Sequence, residues 1–395
     1  MPIQNGYARK LRFEGLEDRT LMAGDVTVAV VSGVLQIVGD IADNSIQIKQ
    51  SGKVWQVQGV DTTVNGNNSA QSFTGVTGID INLGAGNDSI NASQGKLRAG
   101  TFQIRDDGGS TVVNLLKIAA RGIDVRTHDG SDTITLDKCE AESIGIFTSP
   151  QTGDDEADVV TILNSAFKGQ PTVYTGGGND VVTINAVVAG GACIVRTFTP
   201  GESDQDSVTM TKFRSKFALL IETGDGPDTI TLTDVHSKED DIRVLASETA
   251  ADSSIDGVVI SKLTAEEGLQ VVTGDGADVV TLEKCNVDYR IDISTAGTSA
   301  DGSDFVRLTQ IKSGESIVIE TGDGTDEVNL TQLVAGEAIG VHMGGGDSDQ
   351  LVLEDSRALG ALLLGSDGAG DEVTLNRNKW KRNILNLVGF ELQYG

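Results

Sequence analysis

The decapeptide TGDGPDTITL, Thr223 to Leu232, decides the fold. Its first six residues form a turn containing two glycines, which supply the positive φ that tight turns need. Its last residues alternate polar and apolar, the period of a half-buried strand. Near-copies read TGGGNDVVTI (Thr175 to Ile184), TGDGADVVTL (Thr273 to Leu282) and TGDGTDEVNL (Thr321 to Leu330). The last acid of each turn marks a series: Asp132, Asp158, Asp180, Asp206, Asp228, Asp256, Asp278, Asp304, Asp326, Asp349 and Asp371. Steps run from 22 to 28 residues, most often 22, and Asp88 and Ser110 extend the series upstream by two more steps of 22. A period of this size means a stacked repeat.

One rung describes most of the chain. After Asp278 come Val280 and Leu282, then Cys285, then Ile291 and Ile293. After Asp180 the same places hold Val182, Ile184, Val187, Cys193 and Val195; after Asp326 they hold Val328, Leu330, Leu333, Ile339 and Val341. Two inward pairs and one single apolar residue per turn of chain predict three short strands. The expected fold is all-β, a right-handed parallel β-helix with rungs of about 22 residues. Short turns alternate with long acidic ones, such as TPGESDQD (Thr199 to Asp206) and SETAADSSID (Ser247 to Asp256), giving a rung pair of 48 to 50 residues. The expected organisation is a segment 1–24 apart from one solenoid domain, 25–395. Within that domain, 25–80 is a capping region with an inserted loop at 61–71, and 376–395 forms the other cap. An end cap is required because an open solenoid end exposes pairing edges.

Composition narrows the partners. The chain carries 58 acidic and 30 basic residues, a formal net charge of −28. That argues against nucleic acid and anionic membrane. No stretch approaches 18 apolar residues, so no transmembrane helix is expected. In the sequence the only basic run is Arg377 to Arg382. Cys139 and Cys285 share a column six rungs apart, roughly 29 Å at about 4.8 Å per rung, too far for a disulfide. These and Cys193 read as small buried apolar residues. A Thr column three residues after the marker (Thr135, Thr161, Thr183, Thr209, Thr231, Thr281) is broken by Val259 and Arg307, which argues against a flat ice-binding array.

The aspartates admit two readings. Stacked carboxylates roughly 5 Å apart repel by about 3.5 kcal/mol at an effective dielectric near 20, so the row must be screened, staggered or neutralised. Calcium would neutralise it, taking six to eight oxygens from carboxylates and backbone carbonyls. Alternatively, each Asp accepts hydrogen bonds from turn amides and starts the next strand. Gly84-Ala85-Gly86-Asn87-Asp88 and Gly176-Gly177-Gly178-Asn179-Asp180 resemble the haemolysin-type (RTX) calcium repeat, Gly-Gly-x-Gly-x-Asp followed by alternating apolar residues. The resemblance implies Asp88, Asp180, Asp228, Asp278 and Asp326 as calcium ligands, with Asp225, Asp275 and Asp323 as further ligands. Two departures weaken it. Thr175, Thr223, Thr273, Thr321 or Leu83 replaces the first Gly, and the turns recur every 22 residues rather than nine.

Leu16-Glu17-Asp18-Arg19-Thr20-Leu21-Met22 resembles the LEPR-XLL motif at the start of large bacterial surface proteins, with Asp18 for Pro and Met22 for the final Leu. The resemblance implies export to the cell surface or beyond. The function expected is a non-catalytic structural or adhesive solenoid stabilised by calcium, facing cell-surface or matrix components. Two alternatives are a polysaccharide lyase or hydrolase and a metal-independent protein-binding adhesin. An enzyme of that kind needs clustered acids with aromatic sugar platforms. Only 2 Trp and 4 Tyr occur, and His128, His236 and His342 are scattered.

Overall fold

A computed structural model of the chain describes residues 24–97, 99–148, 156–249, 252–297, 302–346, 348–380 and 385–393. Leu16 to Met22 lies outside them. The described residues form an all-β solenoid of about 12 turns, without helix.

A rung consists of a long strand, a two-residue short strand and a return strand, as in Val181–Asn185, Val188–Ala189 and Cys193–Arg196. Each pairs in parallel with its counterparts one rung before and after. The register is exact through turns of unequal length. Val182 pairs with Val160 across 22 residues and with Val208 across 26, so the extra residues of long turns bulge outward and leave the ladder intact. Stacking in register puts like residues in columns, because alternate side chains on a strand face the same way. One such column runs Ile134, Val160, Val182, Val208, Ile230, Val258, Val280, Val306, Val328, and all of it is fully buried. Each such side chain contributes about 1.5–3 kcal/mol on burial, and every rung adds several. Cys139, Cys193 and Cys285 are free and buried in this core, and burial pushes their thiols up to about 11, 12 and 11.

The first strands differ. Asp25–Val31 and Val34–Val38 form an antiparallel hairpin, as do Ser45–Ser51 and Val54–Gly59. Val34–Val38 and Ser45–Ser51 then template the parallel stack through Gly78–Asn82 and Ser89–Ser93. Residues 61–71 hold to the first strand: Thr63–Val64 pairs with Asp25 and Val26, and the Asn65 side chain bonds the Val28 amide and carbonyl at 2.8 and 3.0 Å. Trp55, 1% exposed, packs onto Gly95, where a Cβ would stand 2.5 Å from the indole. At the other end Leu385–Val388 and Glu391–Gln393 extend the parallel pairing, and Trp380 and Phe390 pack against the core.

A corner six residues past each ladder aspartate turns the long strand into the short one. The residue there is left-handed with φ between 48° and 60°: Gln94, Lys117, Lys138, Asn164, Ala186, Lys212, Asp234, Lys262, Lys284, Gln310, Gln332, Asp355 and Arg377. Most side chains disfavour this region, and none of these positions is Gly. The register of the stacked rungs holds the corner at each level.

Candidate functional site

The turn aspartates point into the solenoid. Asp132, Asp158, Asp180, Asp206, Asp228, Asp256, Asp278, Asp304, Asp326, Asp349 and Asp371 are all at most 2% exposed. Each carboxyl reaches back one rung. The amide of Asp132 donates to Asp158 Oδ1 at 2.7 Å, that of Asp158 to Asp180 at 2.8 Å, and that of Asp180 to Asp206 at 2.8 Å. The chain of bonds continues unbroken to Asp349, whose amide donates to Asp371 Oδ1 at 2.9 Å. In the other direction, the carbonyl of each ladder residue accepts the amide that opens the next rung's long strand, as in Val181 to Asp158 at 2.8 Å. A side-chain oxygen thus replaces a backbone acceptor where the turn has taken the chain out of line.

The register corrects one assignment. Val112 pairs with Ser89 on one side and Thr133 on the other, so the ladder slot of that rung holds Thr111 and not Ser110. Thr111 donates its amide to Asp132 Oδ1 at 2.7 Å, and its hydroxyl bonds Asp106 Oδ2 at 2.8 Å. Here the ladder pair is exchanged. In most other rungs a Thr or Ser precedes the turn and faces the Asp that ends it: Thr321 donates to Asp326 Oδ2 at 2.6 Å, and Thr197, Thr295 and Ser366 donate to Asp206, Asp304 and Asp371, while Leu83, Ala246 and Met343 hold that place before Asp88, Asp256 and Asp349. The Thr that stands where a calcium repeat has its first Gly is therefore a fully buried partner of the carboxyl, as Thr175, Thr223, Thr273 and Thr321 show. The recurring first letter of TGxGxD was the signal for it.

Burial, reinforced by neighbouring carboxyls, raises Asp88, Asp106, Asp132, Asp180, Asp206, Asp228, Asp256 and Asp326. Asp88, Asp132 and Asp228 are pushed up to about 8, Asp180 and Asp256 to about 9, and Asp206 to about 7. Hydroxyls of Thr127, Thr175, Thr197 and Thr223 and the amide bonds pull the other way without cancelling burial. Asp88, Asp132, Asp180, Asp228 and Asp256 thus favour the neutral carboxylic acid at pH 7, which lowers the like-charge repulsion along the row.

The eight acids singled out from the sequence fall into two sets. Asp88, Asp180, Asp228, Asp278 and Asp326 belong to the buried row. Asp225, Asp275 and Asp323 sit in the turns outside it. Asp225 accepts the amides of Glu248 and Thr249 at 2.9 Å each, Asp323 accepts the Gly345 amide at 2.7 Å, and Asp275 is buried. Asp204 and Asp252 likewise brace the glycine turns of the preceding rungs, accepting Gly178 and Gly226 amides. Among the described residues no three His, Cys, Asp or Glu side chains are grouped so as to hold a metal ion.

The histidines stand apart: His128 Nδ1 lies 2.5 Å from the Asp106 carbonyl, His342 Nε2 lies 3.9 Å from Asp367, and His236 sits in the short-strand column between Arg214 and Thr264. Phe147 and Tyr174 meet edge to face at 5.4 Å, with the guanidinium groups of Arg126 over Phe147 and Arg196 beside Tyr174 and Phe198. All three rings are half-buried. No helix among the described residues is long and apolar enough to cross a membrane. No protein-family model, curated protein or solved structure matches the chain.

Proposed function

We propose that this chain is a non-catalytic structural solenoid that acts at the cell surface or outside the cell, as a rigid spacer or adhesive scaffold. The aspartate ladder carries the reading. The one chemically unusual feature repeats in rung after rung, and each carboxyl is occupied in holding the rung before it. A catalytic centre requires one rung unlike its neighbours with converging acid, base or nucleophile. The slots without an aspartate hold Asn44 and Thr111, and both are buried, as is Asp106 opposite Thr111. Export is supported by the likeness of Leu16 to Met22 to the LEPR-XLL motif.

Calcium belongs to the same proposal. Its support is the likeness of the glycine turns to the calcium repeat and the net charge of −28. The turn acids Asp225, Asp275 and Asp323, with neighbouring turn carbonyls, would hold it at the rim. Asp88, Asp180, Asp228 and Asp326 would first have to lose the protons that burial favours. The test is thermal unfolding of the full chain in EDTA and in about 10 mM calcium, in the millimolar range of extracellular sites, with magnesium as control. A calcium-specific rise of several degrees supports ion binding; identical transitions remove calcium and leave the scaffold standing. Turnover of any polysaccharide, abolished by a substitution in a single rung, would sink the scaffold reading itself.

A further inference from the structure

Although the chain is strongly acidic, its charge is sorted by corner. No Lys or Arg occurs in any turn segment leading to a ladder aspartate between residues 127 and 371. That edge displays acids, with Asp107, Asp129, Glu248 and Asp367 exposed on it. Six residues further along each rung, roughly 20 Å away along extended chain, is the left-handed corner. Six of its twelve residues from Lys117 onward are basic: Lys117, Lys138, Lys212, Lys262, Lys284 and Arg377, all exposed. The two outward columns of the adjoining short strand continue the trend, with Arg121, Lys168, Lys216 and Lys238 in one of them. Together the three columns hold fifteen Lys or Arg against six Asp or Glu among the described residues. In sequence these residues are mostly some 22 apart and show no run, so the stretch Arg377 to Arg382 is not the only basic cluster. The fold assembles a ridge.

We propose that the basic ridge is a docking surface for the acidic edge of a second copy of this chain, so that solenoids associate side by side. Charge complementarity argues for this partner, and so does spacing. The columns of ridge and edge share one rung spacing, about 4.8 Å, so parallel copies stay in step; Lys138, Lys284 and Arg377 already pair with Asp137, Glu283 and Asp355, which leaves Lys117, Lys212 and Lys262 to carry the contact at the corner. A nucleic acid or a lipid surface offers no such match to the edge. The contact joins two different surfaces, which makes it heterologous, so copies held in one orientation propagate it instead of pairing off as a two-fold dimer. It extends the scaffold reading but rests on the charge distribution alone.

Salt provides the test. At about 0.1 M salt the screening length is about 10 Å, so repulsion between whole acidic molecules is damped while contact pairs survive; at about 1 M it falls to about 3 Å and the contact pairs weaken as well. Sedimentation of the full chain, in EDTA to remove divalent bridging, is expected to give a mass at least twice the 41.3 kDa monomer at the lower salt and the monomer at the higher. The triple variant Lys117→Glu, Lys212→Glu, Lys262→Glu changes only exposed side chains. It is expected to remain monomeric, and to shorten wild-type assemblies when mixed with them, because it offers an edge without a ridge. Circular dichroism checks its fold, and the milder Lys212→Gln, Lys262→Gln pair, expected to lower the association constant at least tenfold, serves if it fails. A wild-type chain that stays monomeric at both salts overturns the proposal, even if its ridge then retains a sulfated polysaccharide. So does a triple variant that assembles like the wild type.

Discussion

Replacing Asp228 with Asn separates the two roles of a ladder residue, its shape and its proton. Asn keeps an oxygen to accept the Asp206 amide, now at 2.8 Å, and cannot ionise. In the wild type, burial pushes Asp228 up to about 8 from the ordinary carboxylate value of 3.8. The folded state therefore holds a proton that the unfolded chain releases as the pH passes about 4. The sign follows from linkage: between about pH 4 and pH 8 the native state binds more protons, so stability falls as pH rises, by about 1.4 kcal/mol per unit for one such group. Below about pH 4 both states are protonated and the term vanishes. Asp228→Asn removes this one contribution. Relative to the wild type it should gain about 1.4 kcal/mol, and so about tenfold in its unfolding equilibrium, for each unit between pH 5 and pH 7, while at pH 4 it should be equal or slightly less stable. The assay is urea unfolding of both proteins at pH 4, 5, 6 and 7 with midpoints compared pairwise. Parallel midpoint curves would mean that Asp228 is ionised in the folded protein at its ordinary pKa, and the neutral ladder would be refuted.

Two further substitutions probe the backbone. Ala186 holds φ of 56° at a corner where Gly carries no steric cost, so Ala186→Gly should stabilise by about 0.5–1 kcal/mol, the left-handed penalty less the added chain entropy; a lower unfolding midpoint would contradict the strain assigned to the corner. At Gly226, φ is +132° and a Cβ would stand 1.9 Å from the Asp204 carbonyl oxygen, so Gly226→Ala should cost roughly 3 kcal/mol or more. Gly52→Ala, with no atom within 4 Å of its Cβ, is the control, and equal losses at the two sites would show that the packing of successive turns is looser than described.

The fold was legible because periodicity is carried by side-chain type. The pairs Val182–Ile184 and Cys193–Val195 repeat at fixed distance from an aspartate, and columns of that kind need no tertiary information. The register of one rung was not legible, because Gly109-Ser110-Thr111 offers two hydroxyl residues and only backbone pairing at Val112 shows which one occupies the slot. Nor was the direction of the carboxyls. An aspartate after a Gly turn reads equally well as a surface ligand or as a buried acceptor, and its burial follows from closure of the rung in three dimensions. Thr223 was visible as a departure from the calcium repeat, yet its partnership with Asp228 crosses a turn whose path the letters do not specify. The basic ridge was invisible for a different reason. Lys117, Lys138 and Lys212 are neighbours of acids in sequence and of one another only in space.

The ladder has one further implication, for how such a chain changes length. Every amide-to-carboxyl bond runs in the same sense, each rung offering the next what it received from the last, from the Asp132 amide to the Asp371 carboxyl. A cut made at the same point in two rungs leaves ends that match. Removal or duplication of the 48-residue stretch from Asp158 to Asp206 would therefore close without an orphaned donor, and the solenoid could be lengthened or shortened by whole rung pairs, as a measured rod rather than a globule with a preferred size.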